Sequence, residues 1–197
     1  MTLTAGVIAV QGDVSEHAAA IRRAASTHGE QANVHEIRTA GLVPACDVLL
    51  LPGGESTTIS RLLRQEGIDE EIKTHVREGN PLLATCAGLI VASRDAKDER
   101  VTTLNLVDVT VDRNAFGRQQ DSFETLLTID GLKDPFPAVF IRAPLIDAVG
   151  SETTVLATHD ERPVTVRDGP VVATSFHPEL TDDSRLHDLA FFESMDR

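Results

Sequence analysis

The sequence predicts an α/β fold, with a mostly parallel central sheet that carries helices on both faces. Strand and helix signals alternate through the first half of the chain, and the segment Asp47 to Leu51 is almost wholly apolar. Such a strand is typical of a parallel sheet buried on both faces. No Ser/Gly-rich linker, repeat or low-complexity tract divides the chain, so residues 1–197 are predicted to form a single domain.

The first strand is predicted from Ala5 to Val10, with Gln11 and Gly12 as the turn after it. Asp13 and Glu16 have the spacing of a capping box, and apolar residues recur behind them at helical intervals. The first strand is therefore expected to lead directly into an amphipathic helix.

A second strand is predicted at Val34 to Ile37, and the apolar segment described above is the third. After a Pro-Gly-Gly turn, Ser56 opens a helix, and a further helical stretch surrounds Ile72 and Val76. The short apolar run Leu82 to Ala84 is the next buried strand. This alternation is what favours a parallel sheet.

The second half of the chain is richer in strand signals and ends in a helix predicted around Leu186 to Met195. A long polar segment, residues 112–122, separates two of these strands, and long loops in compact domains often carry function. The predicted strands are Leu104 to Val111, Phe123 to Ile129, Val139 to Ile141, Val155 to Thr158, Val164 to Val166 and Val171 to Phe176.

The chain is strongly acidic, with 18 Lys and Arg against 31 Asp and Glu and a formal net charge of −13. Binding to nucleic acid requires clustered cations, so nucleic acid is excluded as an expected partner. Acidic, lysine-poor surfaces are typical of proteins from salt-loving organisms, and an acidic face for a basic partner is the alternative. The acids are spread along the whole chain, which favours the first interpretation.

The sequence also predicts a cytoplasmic protein without a membrane span. Its apolar runs fall well short of the roughly 20 residues that a spanning helix needs. The first residues have no basic region of the kind that begins a secretory signal. Two cysteines, Cys46 and Cys86, do not form a disulfide framework, which favours a reducing compartment.

Cys86 lies where a buried strand is expected to turn into a helix. Ala87 and Gly88 leave room for a sharp turn, and the first N–H groups of a helix favour a thiolate. The serine of many hydrolases occupies the same kind of turn. Cys86 is therefore a candidate nucleophile, with a merely packed buried cysteine as the alternative.

His177 and Glu179 are the candidates for the base and its orienting acid. Pro178 disfavours a helical conformation at His177, and residues two apart in an extended chain point the same way. Glu179 would then orient the imidazole and stabilise its cationic form. Neighbouring His and Glu are also common on surfaces, and among the other histidines His159 has acidic neighbours too.

An oxyanion hole is expected at Gly53, Gly54 and Ala87. The two glycines follow a buried strand and precede a helix, where backbone N–H groups can approach a substrate oxygen unobstructed. An ordinary tight turn is the alternative. Together, the three motifs favour attack on an amide carbonyl, a thioester and its hydrolysis.

PGG, TCAG and HPE occur in the order that resembles the triad glutamine amidotransferases, which have a flavodoxin-like fold. Further stretches resemble the glutaminase subunits of pyridoxal 5'-phosphate synthase over most of the chain. Asn105 departs from the pattern, because the family usually has Gly there. These stretches are AVQGDVSEH (9–17), LPGGESTT (51–58), TCAGLI (85–90), DRNAFGRQQDSFE (112–124), VFIRAP (139–144) and SFHPEL (175–180).

The resemblance implies a catalytic triad of Cys86, His177 and Glu179, and it implies a glutamine pocket. A zwitterionic substrate requires charged groups at its α-carbon, where Glu55 could meet the ammonium and an arginine the carboxylate. A surface salt bridge is the alternative for Arg142, and solvated loop cations are the alternative for Arg113 and Arg118. Cys46 is expected in the core. The implied pocket residues are Gly54, Glu55, Ser56, Arg113, Ile141 and Arg142.

The implied reaction is hydrolysis of L-glutamine to L-glutamate and ammonia, without metal or cofactor. The ammonia would pass to a synthase subunit that makes the vitamin B6 cofactor, docked near Gln11 to His17. Two alternatives are a glutaminase of another system, such as imidazole glycerol phosphate synthase, and a catalytically silent regulatory subunit. The RNAFGRQ and FIRAP stretches disfavour the first, and the three triad residue types disfavour the second.

Overall fold

The computed structural model describes residues 2–113 and 122–192. The first half of the chain alternates strands and helices, as predicted. Its elements are β1 (Thr2–Ile8), α1 (Val14–Thr27), β2 (Gln31–Ile37), β3 (Val48–Leu51), α2 (Ser56–Gln65), α3 (Ile68–Arg77), β4 (Leu82–Thr85) and α4 (Ala87–Ala92).

The second half consists mainly of strands and ends in a helix. Its elements are β5 (Ser93–Asp95), β6 (Val107–Asp112), β7 (Ser122–Leu127), β8 (Phe136–Ile141), β9 (Leu145–Val149), β10 (Thr154–His159), β11 (Arg162–Asp168), β12 (Val171–Thr174) and α5 (Arg185–Phe191). The predicted closing helix extended to Met195, and residues 193–197 lie outside the described residues.

The central sheet has seven strands in the order β10-β11-β12-β4-β3-β1-β2. The five strands from β12 to β2 are parallel, and β11 pairs antiparallel with both β12 and β10. Because parallel strands end at one edge of the sheet, the segments after β1, β3, β4 and β12 emerge side by side. The candidate motifs are in these segments.

Helices cover both faces of this sheet, which confirms the predicted architecture. Leu49 and Leu51 of β3 pack with α2, α3 and α4, whereas Val48 and Leu50 pack with α1 and α5. Successive residues of a strand point to opposite faces, so four consecutive apolar residues supply both cores. All four are completely buried.

Two smaller sheets lie beside the central one, β5-β6-β9 and β7-β8. Strand β8 belongs to a third core, in which Phe140 stacks on Phe123 with ring centroids 4.6 Å apart. The backbone N–H of His177 donates to the Val139 carbonyl at 2.9 Å. This bond fixes β8 beside the segment that follows β12.

Three sequence expectations require correction. The strand expected from Leu104 begins at Val107, because Asn105 adopts a left-handed φ of 53°, a conformation that Asn tolerates better than most residues. Strands β5 and β9 were not predicted. Asp13 precedes α1 but makes no side-chain capping bond, so the predicted capping box is absent.

Among the described residues, no helix combines the length and apolar character needed to cross a membrane.

Candidate active site

Cys86 occupies a strained turn between β4 and α4, with φ 50° and ψ −110°. A non-glycine residue rarely adopts positive φ, and such strain is typical of functional turns. The Cys86 N–H donates to the Thr174 carbonyl of β12 at 2.9 Å. The residue is 8% exposed and its Sγ lies 3.8 Å from the Ile141 carbonyl oxygen, so the sulfur is directed toward the site.

Gly88 allows α4 to begin against the end of β3. A Cβ at this position would lie 2.1 Å from the Leu51 carbonyl oxygen and 3.0 Å from that of Pro52. Both contacts are with backbone, which cannot rotate away as a flexible side chain would. Steric contact with the backbone therefore explains why the TCAG motif has glycine at position 88.

Replacement of Gly88 by alanine is expected to displace α4 and the turn at Cys86. We expect Gly88→Ala to lower the free energy of unfolding by about 1–3 kcal/mol, as overpacking does. Ammonia release from glutamine, the activity that the sequence predicts, is expected to fall as well, because Cys86, the candidate nucleophile, moves. Urea unfolding and a coupled glutamate assay measure the two effects.

Gly79→Ala is the control, because nothing lies within 4 Å of a Cβ there, although its φ of 87° makes the substitution strained. It should lower stability through the backbone alone and leave ammonia release unchanged. Equal ammonia release by Gly88→Ala and the unaltered protein would show that the close approach at Leu51 is unimportant for the site.

His177 and Glu179 meet directly, with His177 Nδ1 2.6 Å from Glu179 Oε1. They do so through a 3-10 turn at Pro178–Leu180, rather than through the alternation of an extended strand that the sequence suggested. His177 itself is outside the helical region, with φ −107° and ψ 87°, as expected before a proline.

The imidazole of His177 connects the carboxylate to the sulfur. Burial acts to lower the pKa of His177, but hydrogen bonds and charge interactions with Cys86 and Glu179 raise this pKa to about 10. The cationic imidazole is thus the favoured form at neutral pH, and it lies beside the Cys86 side chain. Cys46, by contrast, lies in the core, where burial raises its thiol pKa to about 11.

Gly53 lies against both catalytic candidates. A Cβ there would approach His177 Cε1 to 2.7 Å and Cys86 Cβ to 3.4 Å, so only glycine fits. Its carbonyl oxygen would be 1.8 Å from a Cβ on Gly12, and in a trans peptide the Gly54 N–H points the opposite way. Of the three residues predicted to form an oxyanion hole, Gly53 lies against Cys86 and His177, Gly54 follows it beside Gln11, and Ala87 follows Cys86 as the first residue of α4.

Glu55 caps α2, which begins at Ser56 as predicted. Its carboxylate accepts bonds from the Thr57 and Thr58 N–H groups at 3.2 and 2.8 Å and from the Thr57 hydroxyl. Burial acts to raise the pKa of Glu55, but these bonds lower it to about 2. Ser56 is the buried first residue of the helix.

Arg113 is paired rather than solvated. Its guanidinium bridges Glu55 Oε1 at 3.3 Å and Asp98 Oδ2 at 3.2 Å. Ile141 is 37% exposed and presents its carbonyl to the sulfur, and Arg142 follows it on the surface with φ 44°. Arg118 and most of the 112–122 loop lie outside the described residues.

The segment Gln11 to His17 contacts the site at three points, which sequence reasoning did not anticipate. Gln11 Oε1 accepts from the Glu55 N–H at 2.7 Å, Asp13 Oδ2 lies 3.7 Å from His177 Nδ1, and His17 Nε2 lies 3.4 Å from Glu179 Oε1. The i, i+4 spacing of Asp13 and His17 was the available signal, because it places both on one helix face.

Asp13, His177 and Glu179 each offer one ligand atom, and these atoms lie within 4.8 Å of one another. A metal ion would compete with the hydrogen bond between Nδ1 and Oε1, which already engages two of the three atoms. The arrangement is therefore better suited to orienting an imidazole than to metal binding.

Comparison with known proteins agrees with this geometry. The SNO glutamine amidotransferase family matches residues 7–196. Proteins described as pyridoxal 5'-phosphate synthase subunit PdxT are similar to this chain. The one from Halobacterium salinarum is 76% identical, over 98% of this chain and 95% of the relative, and the one from Haloarcula marismortui is 70% identical over 100% of both.

Solved structures extend the comparison. A crystal structure of a glutamine amidotransferase is 42% identical, with a TM-score of 0.86 over 98% of this chain and 99% of that one. The PurLQS structure from Thermotoga maritima, 16% identical with a TM-score of 0.61, shares the fold. The relatives from salt-loving archaea also agree with the acidic composition. The chain thus belongs to the SNO glutamine amidotransferase family, as its motifs predicted.

Proposed function

We propose that residues 1–197 form a single glutaminase domain that hydrolyses L-glutamine to L-glutamate and ammonia. The observation that carries this proposal is the buried His177, which hydrogen-bonds Glu179 at 2.6 Å and lies with Cys86 against Gly53, where an added Cβ would be 2.7 Å from His177 Cε1 and 3.4 Å from Cys86 Cβ. A base held between a nucleophile and an orienting acid is the arrangement that acyl transfer requires.

In the proposed reaction, the Cys86 thiolate attacks the side-chain amide carbon of glutamine and forms a tetrahedral intermediate. N–H groups of Gly53, Gly54 and Ala87 stabilise its oxyanion, an interaction worth about 2.7–4 kcal/mol of barrier per donor. His177 gives its proton to the leaving nitrogen, and ammonia departs from the tetrahedral intermediate, which leaves a thioester on Cys86. Water then attacks the thioester carbon while His177 takes its proton, and the carbon–sulfur bond breaks, which releases glutamate and restores the Cys86 thiolate beside the protonated His177.

The proposed pocket for the α-carbon end of glutamine lies between Glu55, Arg113, Ile141 and Arg142, with Gly54 and Ser56 at its base. The ion pair of Glu55 and Arg113 presents both charges that a zwitterion needs. The substrate ammonium would meet Glu55, and its carboxylate would meet Arg113 or Arg142. Both are charge-assisted hydrogen bonds, the stronger class.

The proposed partner is the synthase subunit of pyridoxal 5'-phosphate synthase, because relatives 70–76% identical to this chain carry that complex in their names. Ammonia attacks carbonyls only when unprotonated, so direct transfer between subunits is chemically sensible. The segment Gln11 to His17 supports docking close to the triad, because it contacts the site. We place this activity in the cytoplasm, in keeping with two free cysteines, Cys46 and Cys86.

Ammonia and glutamate release, measured with and without the synthase subunit, tests the proposal. We expect glutaminase activity that rises when the synthase subunit of pyridoxal 5'-phosphate synthase is added. Activation by the cyclase subunit of imidazole glycerol phosphate synthase instead would indicate another system. Binding to the first synthase without any glutamate release would identify a silent regulatory subunit.

A further inference from the structure

His17 lies directly behind the proposed triad. It is completely buried in α1, and its Nε2 is 3.1 Å from the Thr85 hydroxyl and 3.4 Å from Glu179 Oε1. An Nε2–H can be shared between these two oxygens. The nucleophile turn and the orienting acid are thus both in contact with one buried ring.

Glu179 depends on this ring because it has few other partners. Its side chain is completely buried, and Oε1 is approached by both His177 and His17. Its second oxygen, Oε2, is buried without a hydrogen-bond partner among residues 2–113 and 122–192. Burial acts to raise the pKa of Glu179, whereas His17 and then His177 hold that pKa well below its usual range.

The placement of His17 follows from the apolar face of α1. Ala18, Ile21 and Ala25 pack against the sheet, and His17 continues that face at its edge nearest the triad. Asp13, the residue that precedes α1, approaches His177 at 3.7 Å. The start of α1 and the residue before it therefore face both the base and the acid.

The groups around His17 are neutral or directed elsewhere. His187 of α5 has its ring centroid 6.4 Å away, and burial followed by the charge of His17 lowers the pKa of His187 to about 3. Arg23 of α1 donates to the Thr181 carbonyl at 2.8 Å. Among the described residues, the carboxylate that lies within ion-pair distance of His17 is therefore that of Glu179.

We propose that His17 is a positioning residue for the glutaminase reaction, which holds the Glu179 carboxylate in the orientation that His177 requires. A series of contacts then leads from Thr85 through His17, Glu179 and His177 to Cys86. Its two end residues, Thr85 and Cys86, are neighbours in the chain. This inference rests on the proposed function. It assigns to α1 a catalytic consequence in addition to its packing.

Steady-state glutamine hydrolysis by the complex with the synthase subunit tests the inference. Loss of a hydrogen bond to a charged group corresponds to about a 10- to 100-fold change, so His17→Ala should lower kcat by that factor. KM should change less than about twofold, since His17 does not touch the pocket. His17→Gln, whose amide N–H can replace Nε2–H, should recover most of kcat.

His75→Ala is the matched control. His75 is also buried, on α3, but its Nε2 lies 3.2 Å from the Pro81 carbonyl oxygen, away from the triad. The thermal stability of the His75→Ala variant should fall, while its kcat should stay close to that of the unaltered chain. Equal kcat losses in His17→Ala and His75→Ala, or no recovery with glutamine at position 17, would overturn the inference.

Proton NMR of the chain labelled with ¹⁵N-histidine separates this inference from the proposed function. The Nδ1–H of His177, bonded to Glu179, should give a strongly deshielded signal that His17→Ala shifts and His75→Ala leaves in place. A signal unchanged by His17→Ala overturns the inference. Absence of glutamate release by the unaltered complex overturns the proposed function instead, whatever the signal does.

Discussion

Cys86→Ala is expected to abolish glutamate and ammonia release, with a fall in kcat of about 10⁴-fold or more, as when a covalent nucleophile is removed. Alanine retains the backbone but has no atom that can form a thioester. The proposed oxyanion donors remain in this variant, so glutamine should bind without being cleaved. Ammonia release by the complex, measured with a coupled glutamate assay, provides the comparison.

The variant should still bind the synthase subunit, because Cys86 is 8% exposed and offers little surface to a partner. Size-exclusion chromatography of the mixed subunits checks this. Cys46→Ala is the matched control, since Cys46 is a buried thiol in the core between Leu42 and β3. Glutamine hydrolysis by Cys86→Ala at the rate of Cys46→Ala would remove Cys86 from the role of nucleophile.

The fold was predictable where one sequence signal had a single structural meaning. The apolar run before the PGG turn fixed β3 to within one residue, because a strand buried on both faces tolerates only apolar side chains. Gly53 and Gly88 were each predicted to lie in a turn. The structure shows a steric role for both, since a Cβ on Gly53 would collide with His177 and a Cβ on Gly88 would collide with the end of β3.

Other features depended on tertiary contacts that local patterns do not encode. Asp13 was expected to cap α1, but its carboxylate lies 3.7 Å from His177, a residue 164 positions later in the chain (177 − 13). The meeting of His177 and Glu179 was predicted, whereas the 3-10 turn that produces it was not. His17 could not be assigned from sequence, because its partner Glu179 is also distant along the chain.

Pocket residues were the least predictable part of the site. Glu55 was expected to bind the ammonium group of the substrate. In the structure its carboxylate caps α2 and pairs with Arg113. This pairing depends on the end of β6 reaching α2, which no pattern in either segment indicates. The resemblance to glutaminases implied these pocket residues, and the structure adds the contacts among them that a bound glutamine would share or displace.

His177→Ala is expected to lower kcat for glutamine hydrolysis by about 10²–10⁴-fold, the usual contribution of a general acid–base residue. It should also change the reactivity of Cys86 toward iodoacetamide. The cationic imidazole of His177, whose pKa is raised to about 10, lies beside the sulfur. Cationic neighbours make a cysteine more reactive, so alkylation of Cys86 at neutral pH should be slower in the variant.

The same molecule contains the control for this measurement. The pKa of Cys46 is raised to about 11 by burial and by the nearby Asp47, so its alkylation should be slow at neutral pH in every variant. Mass spectrometry of the two cysteine peptides follows both thiols in one sample. If His177→Ala leaves the alkylation rate of Cys86 unchanged, the imidazole does not activate the sulfur. Slow alkylation of Cys86 in the variant, with Cys46 unaltered, would locate the effect at the proposed thiolate–imidazolium pair rather than in a general loosening of the fold.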